Sequence, residues 1–592
     1  MEIREEIVEE KISLGGNIWK YKKTDERLVE LISQRFDVPE IVAKLLNARD
    51  INIDEVASFL DPKLQNLMPN PSVLQDMDKA AARLADAVRN REKVGIIGDY
   101  DVDGATSSAL LSLFLEHFGL KTLTHIPERD EGYGPSEQAF AEFDADGIKF
   151  VVTTDCGTAA FDILSEKSRD GFDIIVLDHH EAEARLPEVY AVVNPKRLDE
   201  KGDYPSLKYM SAVGVVFMTL VATNRNLRNS GYYQNHQVPD LLQWLDLVAL
   251  GTVCDVVPLL GINRAFVRQG LRVMAKRNNV GLKILIDKAG ITSYPNSYNL
   301  GFALGPRINA CGRVGEAWLG NKLLRTKNEE EASKLADKMN EYNAERKEIE
   351  NYVLLQAIEM LEKEPQEYPI AFVYGYDWHQ GVIGIVAGKL KEKYNVPAFV
   401  MSIESDEVKG SARSVDGVDL GALIIAAKEK GLITKGGGHI MAAGFSLEED
   451  KIEDFKKFVG EEVLRQLKNS DVNPVLEIDA ALDVGGANPL LAEKIEMMEP
   501  FGASNEEPVL VLKNVMINAP TIIGSGHVRC SLKSDNGKSI KAIAFRVADT
   551  QIGVKMLQSN GEHFDVAGNL RVDNWQNQNM VQFIIKDVME LK

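Results

Sequence analysis

The sequence predicts a multidomain α/β protein: a parallel-sheet domain, a long connecting helix, a second α/β domain and a C-terminal β-barrel. Three observations predict it. The 592 residues exceed what one hydrophobic core supports, and at roughly 150 residues per domain about three to five units are expected. Between Val94 and about Val257, short β-branched runs alternate with helical stretches, the pattern of a parallel sheet covered on both faces. Beyond residue 469 the chain reads as short strands, with Asp535-Asn536-Gly537 as a hairpin turn signal.

In chain order, residues 1–92 form an expected helical region, because apolar residues recur at helical spacing in DERLVELISQRF, PEIVAKLLNARD, DEVASFL and LQDMDKAAARLADAVRN. Residues 93–325 carry the strand runs VGIIG, KFVVTT, DIIVL and YAVVN, separated by helical stretches such as ATSSALLSLFLEHF and MSAVGVVFMTLVATN. Residues 326–366 hold a helix free of Gly and Pro before Pro365, with Leu335, Met339, Tyr342, Ile349, Val353 and Leu361 on one face. At 1.5 Å per residue it spans on the order of 50 Å and is expected to be a strut rather than a catalytic element. Residues 367–468 repeat the α/β pattern, with IAFVYGY and PAFVMSI as strands and GVIGIVAGKLKEKY and GVDLGALIIAAKEK as helices. Residues 469–592 contain VLEIDAALDV, EPVLVLKNVMI, HVRCSLKS, SIKAIAFRV, HFDVAGNLRVDN and MVQFIIKDV, a count that suits an OB-fold.

Composition excludes several classes. Hydrophobic residues at 45%, charged residues at 27%, 46 Gly and 21 Pro argue against collagen-like and disordered chains. The N-terminal MEIREEIVEEKISLGG is charged where a signal peptide needs an apolar stretch, and no run of about 18 apolar residues occurs, so a cytosolic protein without membrane contact is expected. Cys156, Cys254, Cys311 and Cys530 form no CxxC pair, which argues against a disulfide framework or a zinc ribbon. A net charge of −21 argues against a chain that coats nucleic acid non-specifically, yet part of that acidity lies in clusters with the character of metal ligands. The self-contained set of domains predicts a monomer.

Ligands of open parallel sheets bind beyond the carboxyl ends of the strands. VGIIG runs into Asp99, Asp101 and Asp103; FVVTT into Asp155; DIIVL into Asp178, His179 and His180; and the helical LDLVALGTVC into Asp255. Singly, Asp101, Asp103 or Asp155 reads as a helix cap and His179-His180 as ordinary surface or core. Jointly they predict a metal site, because clustered carboxylates repel one another unless cations share them. Oxygen donors suit Mg²⁺, and added imidazole tilts preference toward Mn²⁺. There are ligands enough for two ions about 3.5–4 Å apart, a recurring device for phosphoester hydrolysis in which one ion readies water and the other stabilises phosphoryl charge.

GDYDVDGATS, TTDCGTA, LDHHE and GTVCDVVPL resemble the successive motifs of the DHH phosphoesterase superfamily, named for the triplet that is Asp178-His179-His180 here. KGGGHIMAAGFS is similar to the signature of the associated DHHA1 domain. Within the superfamily, IPERDEGYGPS, GPRINACGRVGEA, WHQGVIGIVAGKL and GSARSVDGVDL resemble the RecJ family of single-strand-specific 5′→3′ DNA exonucleases, and the resemblance covers nearly the whole chain.

The resemblance implies two-metal hydrolysis with Mn²⁺ or Mg²⁺, release of 5′-mononucleotides, and a role in DNA repair and recombination. It implies that Asp103, Asp155, His179 and Asp255 hold one ion, that Asp101 and Asp155 with Asp99 hold the other, and that Asp155 bridges. His180 would support the ligands or touch the scissile phosphate. A histidine that some relatives carry four residues before the DxD pair is Ile97 here. For the substrate, which is single-stranded DNA with a 5′ end, it implies phosphate contacts from Arg129, Tyr133, Arg307, Asn309, Arg313, Ser411 and Arg413, drawn from glycine-rich loops. Close backbone approach at Gly437 and Gly438, beside His439, would add to these. Single-strand-binding protein and a RecQ-type helicase are the implied partners. In the barrel, Arg529, Lys533, Lys541, Arg546, Arg571 and Trp575 supply charge and a stacking surface.

Three other readings compete. Superfamily members that cleave short oligoribonucleotides or cyclic dinucleotides lack the barrel and the helical N-terminal region, so length disfavours them. A non-catalytic DNA-binding scaffold would lose ligands that this chain keeps. A cysteine enzyme using Cys156 or Cys254 has no paired base.

Overall fold

The computed structural model describes residues 11–129, 131–201, 204–363, 366–404, 407–468, 474–573 and 580–591. They form two compact units, one of Met1–Leu67, Pro258–Arg268 and Asn473–Lys592, the other of Met68–Val257 and Gln269–Val472.

In the second unit, every residue of strands Val94–Ile97 and Phe150–Thr154, and all but the first of Asp173–Leu177, is buried. Such unbroken apolar runs suit a sheet covered on both faces. The sheet is parallel throughout, in the order Thr122–His125, Val94–Ile97, Phe150–Thr154, Asp173–Leu177, Ala191–Val193. After Val94–Ile97 the chain first adds a strand on one side and then returns to add Phe150–Thr154 on the other. This reversal opens a crevice at the carboxyl ends of those two strands. The polar, half-exposed edge strand Thr122–His125 carries no apolar run and is not predicted by the sequence.

Helix Val102–His117 is buried along nearly its whole length, packed by helices Ala212–Asn229 and Leu245–Cys254. Two of its buried hydroxyls bond back to their own helix, Thr106 to the Val102 carbonyl at 2.8 Å and Ser108 to that of Gly104 at 2.7 Å, while the Ser107 hydroxyl is buried without a partner. The expected strut is helix Glu329–Lys363. Its first half packs on helices Val280–Lys288 and Gly305–Val314, and its second half on Gln380–Tyr394, where Trp378 donates to Gln356 at 2.7 Å. The second sheet runs Lys435–His439, Ala442–Glu448, Glu407–Arg413, Ala398–Glu404, Ala371–Tyr376.

Three expected loops are regular structure. GPRINACGR, which carries Arg307, Asn309 and Arg313, is helix Gly305–Val314, with proline in its first turn where a missing N–H is harmless. Its Gly312 marks close packing, since a Cβ there would stand 2.4 Å from the Tyr100 carbonyl oxygen. Ser411 and Arg413 belong to strand Glu407–Arg413. Gly437, Gly438 and His439 belong to the exposed edge strand Lys435–His439. Packing requires glycine at 438, where a Cβ would meet the Ala442 carbonyl oxygen at 2.4 Å, whereas a Cβ at 437 meets nothing within 4 Å.

In the first unit, strands Leu510–Ile523, His527–Lys533, Ser539–Ala544, Met580–Glu590 and His563–Asp573 pair in that order, and the last pairs back on the first to close a barrel. The Asp535-Asn536-Gly537 turn joins the second and third, with Gly537 at φ +85°. Residues 1–92, expected as one helical region, are divided between the two units. Helices Glu26–Phe36, Glu40–Asn47 and Val56–Leu60 bury Val29, Ile32, Val42, Leu45, Leu46 and Val56 in one core with Leu510, Leu512, Val566 and Phe583 of the barrel, while helix Met77–Asn90 belongs to the other unit. The apolar face of each helix is legible in sequence, but its partner is not. A further pairing absent from the sequence reading is that of Ile18–Tyr21, parallel to Val475–Ile478. Trp575 lies outside the described residues. Among those described, no helix is long and apolar enough to cross a membrane.

Candidate metal centre

The four acidic segments converge. Ligand atoms of Asp99, Asp101 and Asp155 lie within 4.8 Å of one another, as do those of Asp103, His179 and Asp255, and those of Asp155, His179 and His180. Asp155 and His179 thus join the groups into one centre, with Nε2 of His179 3.2 Å from Oδ1 of Asp155 and Nδ1 3.5 Å from Oδ2 of Asp255.

Local structure explains each placement. Asp101 is both a helix cap and a member of the cluster, since its Oδ1 accepts from the Gly104 amide at 3.0 Å and starts helix Val102–His117. Asp103 is held by the amides of Ala212 and Val213 at 2.6 and 3.0 Å, the N-terminus of a second helix. Asp155 does not cap a helix; it stands at φ +62°, its amide donating to the Leu177 carbonyl at 3.0 Å and its carbonyl accepting from the Tyr133 hydroxyl at 2.9 Å. Asp255 follows helix Leu245–Cys254, which approaches Asp103 closely because residue 251 is glycine; a Cβ there would stand 2.7 Å from Oδ1 of Asp103. Ile97 is fully buried in the sheet, and the Asp99, Asp101 and Asp155 oxygens meet without a histidine from that position.

The electrostatics fit divalent cations. Burial, reinforced by neighbouring carboxylates, pushes Asp99 up to about 8, Asp103 to about 7 and Asp255 to about 9, and raises Asp155 well above the ordinary carboxylate range. Burial and the adjacent His180 depress His179 to about 3, which keeps it neutral and able to ligate. Oδ1 of Asp155, Nδ1 of His179 and Oδ2 of Asp255 are buried without a hydrogen-bond partner. Protein donors are therefore missing at the point where the acceptors converge, as cations sharing them would require.

Asp178 differs from its neighbours. Burial would raise it, but hydrogen bonds from His180 and Thr158 outweigh burial and hold it well below the usual carboxylate range. Its Oδ1 accepts from the His179 amide at 2.7 Å and stands 2.8 Å from Nδ1 of His180, and its Oδ2 accepts from the Thr158 amide at 2.9 Å. It orients the two histidines rather than joining the metal groups. This role, like that of Asn194, which donates to the His180 carbonyl at 2.9 Å, is missed by the sequence reading because it depends on contacts between strand ends.

The basic residues divide. Arg129 donates to the Gly312 carbonyl at 3.0 Å and lies 4.6 Å over the Tyr100 ring, and Arg313 donates to the Gly381 carbonyl at 2.8 Å. A Cβ at Gly384 would stand 3.0 Å from the Ser411 hydroxyl and 3.2 Å from an Arg413 nitrogen. Arg313, Ser411 and Arg413 therefore gather around the first turns of helix Gln380–Tyr394, an arrangement suited to anions. Burial lowers Arg413, and burial with Arg129 nearby lowers Arg313 to about 10, so an anion would relieve both. Two candidates are already engaged elsewhere. Arg307 donates to Asn340 at 2.7 Å and to the Ala303 carbonyl at 2.6 Å, and Asn309 accepts from the Val102 amide at 3.2 Å. His439 is exposed, on a different sheet from the carboxylates. Burial raises both Cys156 and Cys254, so neither offers a thiolate nucleophile.

Residues 93–252 match the DHH family N-terminal domain, 367–464 the DHHA1 domain and 478–587 the RecJ OB domain. The chain is 31% identical over 576 residues to the single-stranded-DNA-specific exonuclease RecJ of Bacillus subtilis (strain 168), covering 96% of this chain and 70% of that protein. It is 32% identical over 570 residues to that of Escherichia coli (strain K12), covering 93% and 96%. The fold matches the crystal structure of RecJ with Mn²⁺ from Thermus thermophilus, with a TM-score of 0.79 and 26% identity over 97% of this chain and 80% of that one. The same protein with Mg²⁺ matches with a TM-score of 0.73 and 25% identity over 97% and 78%. With its parallel-sheet, DHHA1 and barrel domains all matched in order, this chain belongs to the RecJ family of single-stranded-DNA-specific exonucleases.

Proposed function

We propose that the protein hydrolyses single-stranded DNA from its 5′ end, releasing 5′-mononucleotides in DNA repair and recombination. The observation that carries this is the convergence of Asp99, Asp101, Asp103, Asp155, His179 and Asp255 around buried acceptors that lack donors. In this reading Asp103, Asp155, His179 and Asp255 hold one Mn²⁺ or Mg²⁺, and Asp99, Asp101 and Asp155 hold a second. When bound, such a pair polarises the attacking water and stabilises charge on the phosphoryl oxygens and the leaving group.

The chain's own residues do the rest. His180 is pressed toward its neutral form by burial, but the Asp178 carboxylate more than compensates and raises it, and the ring that Asp178 orients can donate to a phosphoryl oxygen. Arg129, Arg313, Ser411 and Arg413, with the amides that open helix Gln380–Tyr394, receive the 5′-terminal phosphate. Arg307 and Asn309 are assigned instead to positioning: Asn309 holds the start of the helix that carries Asp103, and Arg307 ties two helices together. Gly437 remains the position in its strand where open space permits close approach of a ligand. The barrel's Arg529, Lys533, Lys541 and Arg546 offer positive charge to single-stranded DNA, whereas Arg571 is already paired with Glu507.

Family resemblance supports partners in single-strand-binding protein and a RecQ-type helicase, and the self-contained domain set supports a monomer. The primary test is a product time course on 5′-labelled and 3′-labelled single strands, with duplex and RNA controls, in Mn²⁺, Mg²⁺ and EDTA. Immediate release of labelled mononucleotide from the 5′ end, dependent on metal and absent on blunt duplex, is expected. Tight binding without cleavage in either metal would transfer the assignment to a non-catalytic scaffold.

A further inference from the structure

Two aromatic rings stand exposed beside the helix that ends at Asp255. Tyr298 is 60% exposed and Phe302 72% exposed, and their rings stack with centroids 4.8 Å apart and planes 23° apart. Phe302 lies in the π-helical turn Leu300–Leu304, a wide turn of a kind that recurs at functional sites.

That turn is anchored to the metal-bearing helix. The Cys254 thiol donates to the Leu300 carbonyl at 3.5 Å, a Cβ at Gly301 would touch the Val253 side chain at 3.6 Å, and one at Gly305 would collide with the Cys254 sulfur at 2.5 Å. The turn that carries Phe302 thus packs directly on the last residues of the helix that leads into Asp255. Beside Asp255 itself, Val256 is 71% exposed at φ +58°, a costly conformation for a β-branched residue and one that marks strained, functional backbone.

Large aromatic side chains usually bury most of their area, and here two are held in register on a fixed turn with their apolar surface open. Neither ring carries charge; the Tyr298 hydroxyl can donate one hydrogen bond, but most of the exposed area of the pair is a preformed face for a flat π-system. A nucleobase is such a ligand, and stacking tolerates any base because each has a π-face. A chain of net charge −21 also gains little affinity for a polyanion from its overall field, so uncharged contacts carry more weight here.

The geometry points to a base-stacking subsite: Tyr298 and Phe302 form a platform for an unpaired nucleobase of the strand whose phosphodiester lies at the Asp255 rim. The inference rests on the nuclease reading above and deepens it. It also supplies a reason for single-strand preference, because bases stacked within a duplex present no free face to the platform.

The test compares binding of the full-length protein, in EDTA, to oligo(dT) and to an abasic strand of equal length, for the wild type and for Phe302→Ala, Tyr298→Ala and Phe302→Trp. Hydrolysis of oligo(dT) in Mn²⁺ is measured alongside for the wild type. Phe302→Ala and Tyr298→Ala should each weaken oligo(dT) binding about tenfold, equivalent to about 1.4 kcal/mol. Abasic binding should stay unchanged, and Phe302→Trp should retain the wild-type preference. Equal losses on both strands, or no loss on oligo(dT), would overturn the platform. A wild type that cleaves yet binds both strands alike would overturn the platform alone. One that prefers bases but never cleaves would keep the platform and overturn the nuclease reading.

Discussion

Asp155 carries the largest share of the proposed chemistry on the least comfortable backbone. Its φ of +62° is sparsely populated by residues other than glycine and persists because the neighbours fix it, with Leu177 accepting from its amide and the Tyr133 hydroxyl donating to its carbonyl. Replacing Asp155 by Ala should reduce hydrolysis by at least roughly several hundredfold while single-strand affinity stays near wild type, since a shared ligand leaves a preformed site. Full activity in that variant would refute the shared-ligand assignment. Tyr133→Phe removes one hydroxyl and should weaken Mn²⁺ binding about tenfold, as outer-sphere supports commonly do. Calorimetric Mn²⁺ titration decides this; unchanged metal affinity with weaker strand binding would place Tyr133 in the substrate site instead.

At the scale of elements, helix Leu245–Cys254 decides where Asp255 stands, and the helix itself holds a buried acid. Asp246, in its first turn, is pushed up to about 7 by burial, although an amide hydrogen bond from Leu247 favours the anion. A carboxyl whose folded pKa is raised binds its proton more tightly folded than unfolded. Its favourable contribution is complete at pH below about 4 and is lost as pH rises to about 7, where the native group ionises too. Asp246→Asn should therefore raise the melting temperature at pH 8 and lose that advantage by pH 4, as thermal unfolding across pH would show. A gain independent of pH would mean that packing, not ionisation, is responsible. The three segments that read as loops but fold as helix or strand belong to this scale as well. Gly312 and Gly438 signal close packing against Tyr100 and Ala442, a role that glycine content alone does not distinguish from a turn.

At the scale of the molecule, the first unit is assembled from segments distant in sequence. Strand Ile18–Tyr21 pairs with Val475–Ile478, and helices from residues 26–60 share the barrel core. Arg264, itself buried, donates to the carbonyls of Phe59, Met498, Glu499 and Pro500 and so closes the same unit from a third segment. A chain truncated after Lys468 should consequently expose Val29, Val42, Leu45 and Leu46, bind a hydrophobic dye and aggregate. A truncated chain that stays monomeric and dye-negative would show that the N-terminal helices fold without the barrel.

The sequence by itself determined the class of each domain, the strand runs that end in Asp99, Asp155 and Asp178, and the residue types of a divalent-metal site. Those features are local: apolar periodicity and the acids that follow a strand are written in consecutive residues. Tertiary structure alone decided that Asp178 orients histidines instead of joining the metal groups, and that Arg307 is already engaged. It also decided that the N-terminal helices belong to the barrel. The reason is physical: which apolar face covers which, and which carboxylate is left without a donor, depends on contacts between segments tens to hundreds of residues apart. No local pattern records those contacts.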